Sequence, residues 1–239
     1  MLEVRNIAFT WRGMREPLLQ DVSFAASPGE AVCITGANGC GKTTLLRILA
    51  TVLAPDAGSL RLDGRDALAL PVRYRRMLGY MQETPALCGD MTVKAYLHYR
   101  ARLKGEPEKR IRRRIGDAAA ACGIAPLMAR SIARLSAGQK KRVALADAIL
   151  LRPRVVLLDD PLAGLDAGMR FAAGEAIASI AAFACVIATG HEHQDMAAWA
   201  TRFLVLSGGR ISASVQTAGM DPAAAAARVA AALKEGAAS

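Results

Sequence analysis

The chain has 239 residues, is 53% hydrophobic and carries 31 basic against 21 acidic residues, a formal net charge of +10. That size buries a core of ordinary extent, as one large or two modest domains, and the composition fits a globular protein. Its longest charge-free apolar run, Ala176 to Gly190, is 15 residues, short of the roughly 20 that cross a bilayer, so the chain itself is not expected to span a membrane.

Residues 2 to 9 alternate like a strand, and Met1 to Asp21 carries charges throughout, without the basic-then-apolar pattern of a secretory leader. Cytoplasmic residence is the expectation. A second strand, Ala31 to Thr35, runs directly into Gly-Ala-Asn-Gly-Cys-Gly-Lys-Thr-Thr at 36 to 44, which completes the phosphate-loop pattern G-x-x-x-x-G-K-[ST]. Gly36, Gly39 and Gly41 let backbone N–H groups curl around an anion, Lys42 neutralises the β and γ phosphates, and Thr43 offers a hydroxyl to Mg²⁺. Asn38, Cys40 and Thr44 complete the loop. The apolar spacing of Leu45, Leu46, Ile48 and Leu49 predicts a helix with no breaker before Pro55, so the phosphates would also meet a helix N-terminus. The chain is therefore expected to bind a nucleoside triphosphate. The cysteines at 33, 40, 88, 122 and 185 show no C-x-x-C spacing, and a disulfide at Cys40 would obstruct the nucleotide. They read as reduced thiols.

Basic residues concentrate at Arg73, Arg75 and Arg76 and in a run from Arg100 through Lys104 and Lys109 to Arg114. Such a face could meet nucleic acid or an anionic membrane, or could be a solvated helix face; it lacks the aromatic interleaving of a single-strand binder. Residues from about 84 to 150 lack strand rhythm and read as helices over Thr92 to Lys104, Glu108 to Cys122 and Ile124 to Ala133. At their far end Leu135-Ser136-Ala137-Gly138-Gln139 is a small-residue turn opening another helix, able to offer backbone amides and Ser136 to an anion. Arg154 to Asp159 is a short apolar strand ending in a carboxylate, and Asp159 is the natural second ligand for Mg²⁺. Further strand signals at 184 to 189 and 202 to 206 complete an α/β core around a largely parallel sheet, with β additions at the N-terminal end.

With the phosphate loop, the Leu-Ser-Ala-Gly-Gln turn and the carboxylate strand together, the sequence resembles the ATP-binding subunit of ABC transporters, whose signature reads L-S-G-G-Q. The resemblance runs from about Leu2 to Ile211. It implies a P-loop NTPase (RecA-like) α/β core with a mostly parallel sheet, formed by 1–83 and 151–215, an N-terminal antiparallel β part, an inserted helical subdomain at 84–150 and an Ala-rich tail at 216–239. It places Trp11 against adenine, Gln82 of Gly79-Tyr80-Met81-Gln82 on Mg²⁺ or water, and Ser136, Ala137, Gly138 and Gln139 on the nucleotide of a second copy. Asp166, ending Asp160-Pro161-Leu162-Ala163-Gly164-Leu165-Asp166, is similar to the family's cross-subunit contact. His191 falls where the family keeps its γ-phosphate sensor; the neighbouring His193 competes for that role, and the strand expected from Thr201 favours His191.

One departure matters. The family has glutamate after the metal-binding aspartate to polarise the attacking water, and this chain has Asp160. The missing methylene withdraws the carboxylate by ~1.5 Å, and small misplacements cost on the order of 10²-fold in rate. Slow hydrolysis by Asp160, compensation by His191 or a shifted loop, and a site that mainly binds nucleotide all remain open.

The resemblance further implies ATP and Mg²⁺ as cofactors, a homo- or heterodimer of two ATP-binding subunits meeting head to tail, a separate transmembrane permease, and a peripheral position on the inner face of the membrane, with no direct nucleic acid partner. Residues 92 to 97 and 101 to 105 resemble the exporter branch. Two alternatives stand beside this reading: a non-hydrolysing regulatory nucleotide sensor, and a soluble ABC protein acting on nucleic acid, although the chain has one phosphate loop and no heptads. No function is assigned to Asp221 to Ser239, read as one short helix with a frayed end.

Overall fold

The structure, a computed structural model, describes residues 1–237. In chain order it runs β1 (Leu2–Phe9), β2 (Leu19–Ala26), β3 (Ala31–Thr35), α1 (Lys42–Leu49), β4 (Ala57–Leu62), β5 (Arg65–Asp66), α2 (Pro71–Arg75), β6 (Leu78–Met81), α3 (Val93–Leu103) and α4 (Glu108–Ala121). It continues with α5 (Ala137–Ile149), β7 (Val155–Leu158), α6 (Ala167–Ala181), β8 (Cys185–Thr189), α7 (His193–Ala197), β9 (Arg202–Ser207), β10 (Arg210–Gln216) and α8 (Pro222–Ala237).

The strands form two sheets. β6, β7, β8, β3 and β9 pair parallel in one six-stranded sheet, closed at its edge by antiparallel β10; β2, β1, β4 and β5 form a separate four-stranded antiparallel sheet. The parallel strands are continuous apolar runs because both of their faces are covered. Successive side chains alternate between those faces. Val32, Ile34, Val155, Leu157, Ile187 and Leu204 pack toward α1 and the antiparallel sheet, while Cys33, Val156, Leu158, Val186, Ala188 and Phe203 pack toward α5, α6 and α8. The α/β class, the mostly parallel sheet, the antiparallel N-terminal part and the helical insertion expected from sequence are all present.

Differences lie at the edges. No strand is expected from the sequence at β2, β4, β5, β6 or β10. Each is short or has one solvated face, and exposed Gly58 and the serines of β10 dilute the alternation there. The helix expected over Ile124 to Ala133 is instead two single 3₁₀ turns, Ala125–Leu127 and Ile132–Arg134. Carbonyls of this segment are taken by the start of α3: Val93 N–H donates to Arg130 at 3.0 Å and Lys94 N–H to Met128 at 3.0 Å. With Pro126 lacking an N–H and these carbonyls engaged outside the segment, an α-helical ladder cannot propagate.

The C-terminal segment is an integral part of the fold. Asp221 starts α8, its Oδ2 accepting the N–H groups of Ala223 and Ala224, both at 3.1 Å. Ala225, Ala226, Val229 and Ala232 are buried, joining the core formed by α7, β9 and β10. The frayed end expected from sequence extends over residues 238 and 239, outside the described residues.

One buried charge fastens the helical insertion. Asp147, on α5 and only 7% exposed, accepts from Arg100 Nε at 2.9 Å, Lys104 Nζ at 2.9 Å and Tyr96 Oη at 3.2 Å. Burial pushes this carboxyl upward, but Lys104 and Arg100 outweigh it and hold it below the usual carboxylate range. Asp147→Ala strands three polar groups of α3 and should cost roughly 2–4 kcal/mol. Because the folded carboxyl titrates below its unfolded counterpart, the stabilisation is fully present above about pH 4 and is lost as the pH falls through the lower, folded value. Urea denaturation of both proteins should therefore show a gap at pH 7 that narrows on acidification below pH 4.

Candidate functional site

The loop from β3 to α1 is shaped by close approach. A side chain at Gly36 would meet the carbonyl oxygen of Leu206 at 2.2 Å, so only glycine lets the loop lie on β9. Gly41, at φ +108, is the N-cap of α1 and supplies the left-handed turn that aims the first amides of the helix outward. Lys42 Nζ, almost buried, donates to the carbonyls of Gly36 at 2.8 Å and Ala37 at 2.9 Å. Its charge is held over the loop by the loop's own backbone.

Above this loop opens a cavity of about 520 Å³. Trp11, Asn38, Gly39, Gly41, Lys42, Thr43, Thr44, Asp159, Asp160 and His191 line it, as do Leu18, Glu83 and Thr189. The first ten were singled out from the sequence; the last three were not. Trp11 is 39% exposed and stands edge-on to Phe9, ring centroids 5.0 Å apart. It is a rim residue with a free face, not a core aromatic.

At the floor, three strand ends converge. Asp159, at the end of β7, accepts on Oδ1 from Thr43 Oγ1 at 3.1 Å and from Thr189 Oγ1 at 2.8 Å. Thr189, at the end of β8, in turn accepts from the Asp160 N–H at 3.1 Å. Thr43 and Asp159 thus present two adjacent hard oxygens, a donor set suited to Mg²⁺. Among the described residues no cluster of three or more His, Cys, Asp or Glu side chains could hold a metal, so such an ion would take its other ligands from phosphate and water. Thr189 was missed because a buried threonine on an apolar strand carries no motif. Thr189→Val keeps the shape, leaves the Asp160 N–H without its acceptor and should cost about 1–3 kcal/mol, read as a lowered denaturation midpoint.

Asp160 is confined. Its backbone is left-handed at φ +46, and Lys141 Nζ fixes its carbonyl at 2.8 Å together with that of Ala163 at 2.6 Å. One carboxylate oxygen, Oδ1, is buried without a partner, and it would lie 3.5 Å from a Cβ on Gly190. Burial, then the negative charge of Glu192, raise this carboxyl above its ordinary value.

The two histidines separate cleanly. His191 lines the cavity. His193 turns below it, its Nε2 at 2.5 Å from Thr35 Oγ1, where burial and then His191 depress its titration.

Other candidates lie elsewhere. Gln82 does not line the cavity with Thr43 and Asp159; it faces an adjoining groove with Tyr80, Leu87, Tyr96 and Arg100. The chain bends at Glu83 after β6, and it is Glu83 that lines the cavity. Gln82 thus stands outside the lining of the cavity that holds Thr43 and Asp159. Ser136 and Gln139 form a reciprocal cap on α5, Ser136 Oγ accepting the Gln139 N–H at 3.2 Å and Gln139 Oε1 the Ser136 N–H at 3.1 Å. Asp166 caps α6, accepting from the Met169 N–H at 2.8 Å. Neither cap, nor Ala137 or Gly138 between them, touches the cavity of its own chain. Cys40 and Gly36 sit within the loop but behind its lining.

Residues 19–163 match the family model described as ABC transporter. The Fe(3+) ions import ATP-binding protein FbpC 3 of Rhodococcus jostii (strain RHA1) is 36% identical over 217 residues, 88% of this chain and 61% of that protein. The sulfate/thiosulfate import ATP-binding protein CysA of Bordetella pertussis (strain Tohama I / ATCC BAA-589 / NCTC 13251) is 40% identical over 173 residues, 71% of this chain and 48% of that protein. The chain thus spans between about half and three fifths of the length of these relatives. A solved structure described as the ATP binding subunit of an ABC transporter superposes with a TM-score of 0.81 at 27% identity, covering 90% of each chain. These two named relatives are importers, and they lend the exporter branch no support.

Proposed function

The chain belongs to the ABC transporter family, and on that footing we propose that it is the ATP-binding and ATP-hydrolysing subunit of a transporter. The observation that carries this is the cavity in which Lys42, the amides at the start of α1, and the Thr43–Asp159 oxygen pair face one volume. Triphosphate oxygens would meet the loop amides and the Lys42 ammonium, the adenine the free face of Trp11, and the γ-phosphate His191. A divalent cation between Thr43 and Asp159 would draw charge from the phosphate oxygens. The nucleotide core would comprise 1–83 and 151–215, the helical subdomain 84–150.

The caps at Ser136 and Asp166, remote from the cavity of their own chain, favour a dimer in which a second copy or a related subunit presents its signature loop to the γ-phosphate. Because that phosphate would touch both chains, its loss removes part of what holds them together. Among the described residues no helix is long and apolar enough to cross a membrane, and the relatives are named import ATP-binding proteins, which supports a separate permease that would hold this subunit at the cytoplasmic face. Those names also favour import. Nucleic acid is not needed to account for the charge.

A second reading is favoured by Asp160, whose Oδ1 is sealed away: a regulatory subunit that binds nucleotide and hydrolyses it weakly. Steady-state Mg-ATP hydrolysis over a range of protein concentrations decides between them. Turnover per chain that rises with concentration supports the dimeric motor, and Mg-ATP binding without turnover at any concentration supports the second reading.

A further inference from the structure

We propose that Glu83 is a second water-polarising carboxylate of the nucleotide site, supplying the reach that Asp160 lacks. The inference rests on the hydrolytic reading above and names a residue that reading does not use. Glu83 lines the same cavity as Lys42, Thr43, Asp159, Asp160 and His191. It arrives there from β6, a different strand from the one that carries Asp160, so its approach to the cavity is independent. Its side chain is exposed and makes no hydrogen bond or ion pair among the described residues. It is also close enough for its charge to act on both Asp160 and Lys141.

Asp160 is poorly free to serve alone. Thr189 holds its N–H, Lys141 holds its carbonyl, and its Oδ1 is turned toward Gly190 without any donor. Both bonds fix the backbone from which a side chain one methylene shorter than glutamate must reach. Glu83 has that methylene, no competing partner, and a backbone just past the end of a strand where it can adjust as the cavity fills. A general base must reach within hydrogen-bond distance of the proton it takes. Of the carboxylates lining the cavity, Asp159 is occupied by Thr43 and Thr189 and Asp160 has one oxygen buried, which leaves Glu83 as the exposed one without a hydrogen-bond partner.

The step is then fixed. A Glu83 carboxylate oxygen takes a proton from the attacking water as the water oxygen bonds to the γ phosphorus. The bond from that phosphorus to the β–γ bridging oxygen breaks, and its electron pair leaves with ADP. The proton passes on to solvent or to the released phosphate, which regenerates the carboxylate.

The test compares four full-length proteins at a concentration that saturates dimerisation: wild type, Glu83→Gln, Asp160→Glu, and the two changes together. Mg-ATP turnover and the affinity for Mg-ATP are both measured. Glu83→Gln should lower turnover about 10²-fold, at the low end of what a positioned acid or base contributes, with affinity unchanged to within about twofold. Once Asp160→Glu restores the longer side chain, the same substitution should cost less than about threefold, a non-additivity that contact-free sites do not show. An equal cost in both backgrounds, a cost below about threefold in the wild-type background, or a parallel loss of affinity would each overturn the role. Turnover in Asp160→Glu but none in the wild type would overturn it while leaving a competent ATPase fold. Absence of Mg-ATP binding by the wild type would instead refute the hydrolytic reading itself, and Glu83 with it.

Discussion

Replacing Lys42 with alanine is expected to abolish measurable Mg-ATP turnover and to weaken nucleotide binding by about 10²- to 10³-fold. Two effects combine. The first is the loss of the positive charge over the loop, whose charge-assisted bonds to phosphate oxygens are worth roughly 1.5–3 kcal/mol each. The second is organisational. The ammonium donates to the carbonyls of Gly36 and Ala37, and without it these two carbonyls and their N–H neighbours lose the brace that keeps the amides pointed into the cavity. Together these come to about 3–4 kcal/mol, which at 1.4 kcal/mol per tenfold gives the stated loss. Equilibrium titration with a fluorescent ATP analogue measures the affinity. The denaturation midpoint reports whether the fold survives, as it should, since the aliphatic stem contributes little to a core held by Leu45, Leu46, Ile48 and Leu49. Retention of wild-type affinity in Lys42→Ala would mean that triphosphate does not bind in this loop.

The residues that sequence alone made legible are those tied to a motif with fixed spacing or to a strand buried on both faces. The phosphate loop announces itself because five of its nine positions answer a demand of anion or metal binding. Val155 to Leu158 and Cys185 to Thr189 are unmistakable because a parallel strand under helices is apolar throughout. Partners set by long-range register are not legible. Asp147 and Lys104 are 43 positions apart, and nothing near Asp147 in the sequence distinguishes it from a solvated helical aspartate. Thr189 and Glu83 matter through what faces them across strand ends. Which of Gln82 and Glu83 faces the cavity is set by the bend after β6, and a local pattern does not fix it once the chain has left its strand.

Gly79→Ala should be among the most damaging single-methyl changes in the chain. Gly79 lies on β6, where a Cβ would come within 2.1 Å of the carbonyl oxygen and 2.8 Å of the carbonyl carbon of Ala148. The obstacle is helical backbone, so no rotamer change relieves it; β6 and α5 must move apart. Overpacking a close-packed interior typically costs 1–3 kcal/mol and occasionally more, and a clash with backbone belongs at the upper end, about 3 kcal/mol. For a chain of this size that corresponds to a fall in Tm of roughly 6–12 °C. Function should suffer too, because β6 delivers Glu83 to the cavity and α5 carries the Ser136 cap at one end and Asp147 near the other. The control is Gly116→Ala on α4, where a Cβ meets nothing within 4 Å and the change removes only backbone freedom from a helix interior. That variant should gain about 0.5–1 kcal/mol. The two glycines thus receive the same methyl with opposite signs, and calorimetry of the pair separates close approach between elements from intrinsic helix preference. Equal midpoints for the two variants would mean that β6 and α5 do not approach as closely as the structure has them.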